Sequence, residues 1–374
     1  MEVSVVVDCR VVIVDVLRHD NRCHQGGVAG APLKPKPVMS PTPLIQLSRG
    51  GLLESEHFGA IAVVNCKDHL IAQVGDPHRV TFSRSTLKVF QALPLIESGT
   101  HTQFGFSNEQ LAMLCASHNG ETMHVAQVDD MLRKIDLPHT TLECGCHVPA
   151  IYSYFDQSPP ADAVWDQRHN NCSGKHAGFL AYCVQHGMPT ANYVDPMHPL
   201  QQAVRRDVAR AMGMDANAMR LGIDGCSVPN YAMPLAKIAH AYARLASGVA
   251  DSEFGESFQL LGDAMTAHPD LVSGSGRNDL AFMQAGRGDW IAKVGADGVQ
   301  AIASKSRGEA FAIKISDGNR VALFAAAVEV LEQLGWLDDA QREMLMPWRA
   351  TQILNARGID VGERRPVFTL QKPH

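Results

Sequence analysis

The sequence predicts a mixed α/β (α+β) protein whose mainly antiparallel sheet is built from N- and C-terminal strands, with a helical lobe inserted between them. Short strand-like segments begin near residue 43, and similar segments return after residue 290. The residues between them repeat apolar positions every three or four residues, which is typical of helices. Strands at both ends can join one sheet, so we expect two lobes with a cleft between them.

Composition narrows the class of protein. The chain has 374 residues, of which 45% are hydrophobic and 19% charged, an ordinary globular balance. A net charge of -6 and the lack of a Lys/Arg run predict that the protein does not bind nucleic acid. The apolar stretch from Val3 to Leu17 is interrupted by three charged residues, so we expect no membrane segment and no secretory signal. Nine cysteines without framework spacing favour a reducing compartment, and hence the cytoplasm.

Residues 1–40 differ from the rest of the chain. They show no clear period after Leu17 and are rich in turn-forming residues, with three prolines at Pro32, Pro35 and Pro37. We therefore predict a disordered extension, with Met39 as a plausible start of the folded part. The remaining residues, 41–374, are expected to form one catalytic domain.

The individual elements follow from local patterns. Alternating apolar residues and flanking turn residues predict strands at 44–47, 60–65, 70–75, 290–294, 299–304 and 310–315. Helical spacing predicts helices at 85–97, 108–117, 121–135, 174–186, 198–212, 234–248, 252–267, 320–335 and 339–356. Ser107 is a candidate cap of the second helix, and the stretch from Gly295 to Gly298 predicts a turn between two late strands.

Ser85 and Lys88 form the sharpest chemical motif. Residues three apart share a helix face, and a neutral lysine amine can take the proton of a serine hydroxyl. The Ser-x-x-Lys pattern also occurs by chance in many chains. Ser117-His118-Asn119 near a helix end and Lys293-Val294-Gly295 on a late strand make chance less probable, since penicillin-recognising hydrolases carry comparable motifs in the same order.

Two cysteines form a second constellation. Cys172 and Cys226 lie on turns with polar neighbours, and Asp224 stands beside Cys226. Such cysteines suggest a small metal site or a reactive thiol, although buried structural cysteines explain the spacing as well. Arg277, in a glycine-rich loop, is a candidate for binding a carboxylate, with an ordinary solvated arginine as the alternative.

Together these segments resemble the L-asparaginases of the Rhizobium etli type. The resemblance runs from about Pro43 to near residue 335. It rests on five motifs in the same order: Arg84-Ser85-Thr86-Leu87-Lys88, Cys115 to Glu121, Asn171 to His176, Asp224-Gly225-Cys226 and Lys293 to Gly298. It implies a fold like that of serine β-lactamases and glutaminases, usually in a homodimer.

The resemblance also implies roles for single residues. Ser85 with Lys88, and Ser117 with Lys293, would be two catalytic Ser-Lys pairs. Zinc would be held by Cys172, Lys175 and Cys226. Arg84, Asn119, Asp224 and Arg277 are the candidate substrate-binding residues. The implied activity is hydrolysis of L-asparagine to L-aspartate and ammonia. A glutaminase, a broader amidase or β-lactamase-like hydrolase, and a non-catalytic metal-dependent binding protein are the alternatives.

Overall fold

The computed structural model describes residues 42–349 and 351–373. The predicted N-terminal extension, including Met39, therefore lies outside the described residues. Within them the strands are β1 (Thr42–Arg49), β2 (Leu52–Asn65), β3 (Leu70–Val74), β4 (Val80–Phe82), β5 (Arg220–Ile223), β6 (Pro229–Pro234), β7 (Trp290–Gly295), β8 (Val299–Ser304), β9 (Glu309–Ile315), β10 (Gln352–Leu354) and β11 (Asp360–Pro366).

The strands form two antiparallel sheets. The large sheet has the order β10-β11-β1-β2-β9-β8-β7, and β3 pairs with the second half of β2. N-terminal strands therefore pair directly with C-terminal ones, as β2 does with β9. The small sheet has the order β4-β6-β5. This architecture confirms the predicted fold class.

The helices lie mainly between β4 and β7. They are α1 (Lys88–Gln91), α2 (Leu93–Glu97), α3 (Thr100–Gln103), α4 (Asn108–Leu114), α5 (Thr122–Lys134), α6 (Ala150–Tyr154), α7 (Ser173–Gln185), α8 (Pro199–Ala211), α9 (Leu235–Ser247), α10 (Gly255–Ala267), α11 (Pro269–Val272), α12 (Asn278–Ala285), α13 (Arg320–Gln333) and α14 (Asp339–Arg349). Ser107 caps α4 in a capping box with Gln110, as predicted.

Packing on the large sheet makes one continuous core. Helices α9 and α13 both pack on the sheet, and β7, β8 and β9 are buried along almost their whole length. A strand buried on both faces needs apolar residues at successive positions, which explains runs such as Ala310–Ile313. In the described part of the chain, none of the helices has both the length and the apolar character needed to cross a membrane.

Two predicted helices are wrong in part, and several strands were missed. The helix predicted at 85–97 is divided into a 3-10 turn, Arg84–Leu87, followed by α1 and α2. The helix predicted at 339–356 ends at Arg349, and β10 begins at Gln352. The small sheet and β11 were not predicted. Apart from β6, which is buried, these strands are partly exposed, so they depend on pairing with distant segments instead of on a local apolar pattern.

Candidate active site

Ser85 lies in the 3-10 turn that leads into α1. The preceding residue, Arg84, has a φ of 50°, a backbone conformation that costs a non-glycine residue energy and is frequent at functional sites. Ser85 is half-buried, and its carbonyl accepts the Lys88 N–H at the start of α1. The turn therefore leaves the Ser85 side chain partly open to solvent while the chain turns into the core.

The Lys88 amine bonds to Ser117 and to two backbone carbonyls. Its Nζ donates to the Ser117 Oγ at 2.9 Å, to the Asn171 carbonyl at 3.2 Å and to the Ala116 carbonyl. Within the described residues it makes no hydrogen bond to the Ser85 hydroxyl. The one-turn spacing thus places Ser85 and Lys88 close along the chain, but the long lysine side chain bonds to another serine.

Ser117 receives a second amine from the large sheet. The Lys293 Nζ, on β7, donates to the Ser117 Oγ at 3.0 Å. Ser117 is 3% exposed, and its N–H donates to the Val272 carbonyl at 2.8 Å. Of the two Ser-Lys pairs expected from the sequence, Ser117 and Lys293 are therefore in contact, and the Ser117 hydroxyl lies between the amines of Lys88 and Lys293.

Burial and neighbouring charges make Lys293 a candidate base. Burial lowers the pKa of Lys293, Asp279 raises it, and the positive charges of Lys88 and Arg277 lower it further, to a net value of about 8. A lysine with this pKa is partly neutral near pH 8, so its amine can accept a proton through the Ser117 hydroxyl.

Close packing at two glycines brings the elements of this cluster together. A Cβ at Gly295, at the end of β7, would lie 2.8 Å from the Ser83 carbonyl, so the strand can approach the Ser85 turn only with glycine there. A Cβ at Gly174, in α7, would lie 2.4 Å from the Met113 carbonyl of α4. This approach of α7 to α4 brings Asn171 within reach of Lys88.

Arg84 and Asp224 are joined across the small sheet. The Arg84 Nε donates to the Asp224 Oδ1 at 2.9 Å, and the Arg84 N–H donates to the Asn230 Oδ1 at 3.1 Å. Burial raises the pKa of Asp224, but Lys175, the Gly225 N–H and Arg84 lower it more, so the carboxyl group is ionised. These contacts fix the residue before Ser85, and they come from strands that the sequence did not reveal.

Arg277 and Asn119 hold the backbone of Ser117. One guanidinium nitrogen of Arg277 donates to the Ser117 carbonyl at 3.2 Å and to the Asn119 Oδ1 at 3.1 Å. The guanidinium also lies 4.4 Å from the ring centre of Tyr154. Arg277 is buried, so its positive charge acts on the cluster in a poorly solvated environment. The role of Arg277 and Asn119 in substrate binding stays a prediction.

The predicted metal ligands lie together in the core. The Lys175 Nζ is 3.3 Å from the Cys226 Sγ, and Cys172 hydrogen-bonds to Cys226. The hydrogen bond from Cys172 lowers the pKa of Cys226, burial raises it, and Lys175 lowers it further, so the net pKa lies well below its usual value. These contacts favour the thiolate form of Cys226, whose sulfur lies beside the Lys175 amine.

One distance in this set is close to that in a tetrahedral zinc site. Sulfur and nitrogen ligands on a tetrahedral zinc ion are about 3.6 Å apart, given their usual bond lengths, so the 3.3 Å separation of Lys175 and Cys226 is close to that required. Burial lowers the pKa of Lys175, but Cys226, Cys172 and Asp224 raise it more, so without a metal the amine is held as an ammonium, which must lose a proton before it can bind zinc. Among the described residues, no group of three or more His, Cys, Asp or Glu side chains is arranged to hold a metal. The predicted set of Cys172, Lys175 and Cys226 would differ in that an amine supplies the third ligand.

Three further residues of the site were not predicted. Asp279 contacts Lys293, and the Asn171 carbonyl accepts from both Lys88 and the His118 N–H. The His118 Nε2 lies 2.9 Å from the Ser173 Oγ. Asn171 and His118 stand inside recognised motifs, so their place in the sequence was a usable signal. Asp279 had no such signal.

A serine held by two buried lysine amines, in a two-lobed fold of this kind, is characteristic of the class of serine hydrolases. The chain belongs to the L-asparaginase II family, whose sequence profile matches residues 45–366. A comparison with curated proteins by sequence gives no match.

Two solved structures are similar to the chain. One is a β-lactamase from Mycobacterium bovis, with 17% identity and a TM-score of 0.36, covering 74% of this chain and 94% of that one. The other is a penicillin-binding protein homologue from Caulobacter crescentus, with 16% identity and a TM-score of 0.38, covering 72% and 92%.

Proposed function

We propose that the protein is an L-asparaginase that converts L-asparagine to L-aspartate and ammonia. The observation that carries the proposal is the buried Ser117 hydroxyl, which accepts from the Lys88 and Lys293 amines at 2.9 and 3.0 Å. Membership of the L-asparaginase II family supports an amide substrate. A glutaminase or a broader amidase would use the same cluster and is the nearest alternative.

Ser85 is the proposed nucleophile. It is half-buried, whereas Ser117 is 3% exposed and has both amines as partners. A substrate amide can therefore reach Ser85 more readily, and Ser117 is better placed to pass protons between amines. Attack by the Ser85 Oγ on the side-chain carbonyl would form an acyl-enzyme and transfer the hydroxyl proton to a lysine amine through Ser117.

The same proton completes the first half of the reaction. It would pass from the lysine to the departing nitrogen, which leaves as ammonia. Water then attacks the acyl group, and the relay of Ser117 and the two lysines would take a proton from that water and return one to Ser85. L-Aspartate leaves, and the cluster regains its starting protonation.

Charged groups around the cluster would bind the polar ends of the amino acid. Arg84 and Arg277 are candidates for the α-carboxylate, and Asp224 is a candidate for the α-ammonium group. Asn119 would hydrogen-bond the substrate. Arg84 is already paired with Asp224, so a zwitterionic ligand would exchange one set of ion pairs for another.

Zinc is the proposed cofactor. Cys172, Lys175 and Cys226 would hold the ion, which would supply a positive charge and an open coordination position for orienting substrate. The nucleophile would not depend on the ion, because Ser85 is not among the proposed metal ligands. The proposed metal ligands are connected to the cluster of Ser117, Lys88 and Lys293 through Asn171, whose carbonyl accepts from Lys88 and whose Oδ1 lies 3.0 Å from the Cys172 Sγ.

A substrate panel tests the proposal. Purified protein is incubated with L-asparagine, L-glutamine and simple amides, with ammonia release as the readout, and with a chromogenic cephalosporin. We expect the highest kcat/KM for L-asparagine. Preference for glutamine would assign a glutaminase, and turnover of the cephalosporin alone would assign a β-lactamase. Absence of turnover on every compound, with metal bound, would favour the metal-dependent binding protein.

A further inference from the structure

Asp279 lies in α12, contacts Lys293 in the core and is fully buried. Its Oδ2 accepts the Val294 N–H at 2.9 Å and lies 3.4 Å from the Lys293 Nζ. Its Oδ1 accepts from the Asn278 Nδ2 at 2.9 Å and from the Gln300 Nε2 at 3.2 Å. All four partners are donors, so the site accommodates the carboxylate form of Asp279, which can only accept hydrogen bonds.

The charge of this carboxylate has one direct counterion. Among the described residues, Lys293 is the only cation that forms an ion pair with Asp279. A buried carboxylate without a partner is strongly unfavourable, so Asp279 and Lys293 depend on each other. The three amide donors fix the orientation of the carboxylate, and this in turn limits where the Lys293 amine can lie.

The other ionisable groups around Lys293 do not replace Asp279. Lys88 and Arg277 are cations that disfavour a second positive charge at Lys293. Burial raises the pKa of Cys115 to about 12, and burial also raises that of Tyr242 well above its usual value, so both face the cluster as neutral groups. Asp279 is thus the carboxylate that offsets the repulsion within the cluster.

We infer that Asp279 is a positioning residue, which holds the Lys293 amine against Ser117 and sets the pH range in which that amine can act as a base. The inference rests on the proposed function for its kinetic consequence. The contact between the carboxylate and the amine, and its effect on the protonation of Lys293, do not depend on which amide is hydrolysed.

The test is a direct titration of Lys293 in the full-length protein. Lysine is labelled with ¹³C at Cε, and the Lys293 signal is assigned by its loss in Lys293→Met. In Asp279→Asn, which is nearly isosteric, we expect the titration midpoint to move to lower pH by about one to three units, because a favourable negative charge is removed. An unchanged midpoint, or one that moves to higher pH, would overturn the inference.

Activity provides a second readout. If the protein hydrolyses L-asparagine, the rising limb of kcat/KM against pH should move to lower pH in Asp279→Asn, in step with the Lys293 signal. The matched control is Asp251→Asn, which removes a buried carboxylate that pairs with Arg244, far from Lys293 in the sequence. That change should lower thermal stability and leave the Lys293 titration in place. Inactive wild-type protein would contradict the proposed function, and the titration would still decide the role of Asp279.

A stability measurement covers the case in which Asp279→Asn does not fold. Lys293→Met leaves the buried carboxylate without its counterion and should lower the melting temperature. Adding Asp279→Asn to Lys293→Met removes that uncompensated charge, so the double variant should melt at a higher temperature than Lys293→Met alone. A double variant that is no more stable than Lys293→Met would show that the pair is not coupled.

Discussion

Ser117 is the side chain on which the chemistry of the site converges. The motifs predicted Ser85, Ser117, Lys88 and Lys293 as candidate catalytic residues, because their spacing and order are recognisable in the sequence. The resemblance paired Ser117 with Lys293, and these two side chains are in contact, but it paired Ser85 with Lys88, whose amine bonds to Ser117. This contact depends on the reach of the Lys88 side chain, which bonds to Ser117 at 2.9 Å after leaving the turn that carries Ser85. Spacing along a helix determines on which face a residue lies. The four-carbon side chain of a lysine can still place its amine several ångströms from that position, beside another residue.

Replacing either serine should separate their roles. We expect Ser85→Ala to lower kcat by several orders of magnitude, on the scale of a lost nucleophile. Ser117→Ala should also lower kcat strongly but should still allow slow acylation of Ser85. Intact-mass measurement after mixing with substrate detects the acyl adduct. An adduct that forms in Ser85→Ala and disappears in Ser117→Ala would reverse the assignment.

The rate should rise with pH through the titration of Lys293. The pKa of this lysine is lowered to about 8, mainly by burial, so the amine is protonated and inactive as a base below that pH. We therefore expect kcat/KM to increase between about pH 7 and pH 9 and then to level off.

Lys88→Met and Lys293→Met should each nearly abolish turnover while circular dichroism stays unchanged. A profile flat from pH 6 to 10 would contradict a lysine base.

Close contacts between whole elements hold the cluster in place. The end of β7 lies against the turn that carries Ser85, and α7 lies against α4. Each approach depends on a glycine whose missing Cβ leaves room for a carbonyl. The sequence placed Gly174 and Gly295 within motifs but gave no reason for glycine there, since the reason is a contact with a segment far along the chain.

Gly174→Ala should disturb this packing. The added Cβ would lie 2.4 Å from the Met113 carbonyl, so α4 or α7 must shift, and we expect a loss of about 1–3 kcal/mol in the free energy of unfolding together with lower kcat. Chemical denaturation and steady-state kinetics measure both effects.

Gly262→Ala is the control, because it too adds a methyl group inside a helix. Its Cβ would meet the movable end of the Ile291 side chain at 3.0 Å, so stability should stay the same or rise slightly. Equal effects of the two changes would show that helix propensity, and not the approach of α7 to α4, sets the result.

At the scale of the molecule, the proposed zinc site connects the helical lobe to the small sheet. Lys175 is in α7, and Cys226 follows β5. We expect the purified protein to contain about one zinc ion, and chelation to lower its melting temperature, because a metal that binds the folded state stabilises it. Cys172→Ser should lose the metal and raise KM more than it lowers kcat.

Cys183→Ala is the matched control for the metal, since Cys183 is also buried in α7 but belongs to no proposed ligand set. Its metal content, measured by mass spectrometry, should equal that of the wild type. Active wild-type protein without zinc, and unaffected by added zinc, would leave Cys172 and Cys226 as ordinary buried thiols.

The resemblance to Rhizobium etli-type enzymes predicts a homodimer. Light scattering coupled to gel filtration should give about twice the chain mass of 40.6 kDa at micromolar concentration. A mass of one chain over the whole concentration range would contradict that expectation. The other proposals would stand, because Ser85, Ser117, Lys88 and Lys293 all come from one chain.

The sequence by itself determined the order of the elements and the identity of most residues in the site. Hydrophobic spacing is a local property, so it predicted the buried strands β7 to β9 and the long helices, and motif order predicted the candidate serines, lysines and cysteines. Tertiary structure alone decided that Lys88 and Lys293 share Ser117, that the small sheet holds Arg84 and that Asp279 pairs with Lys293. These are contacts between segments up to 176 residues apart, as for Ser117 and Lys293. Only the folded chain brings such segments together, because their pairing follows from packing of the two lobes and leaves no periodic trace in either segment.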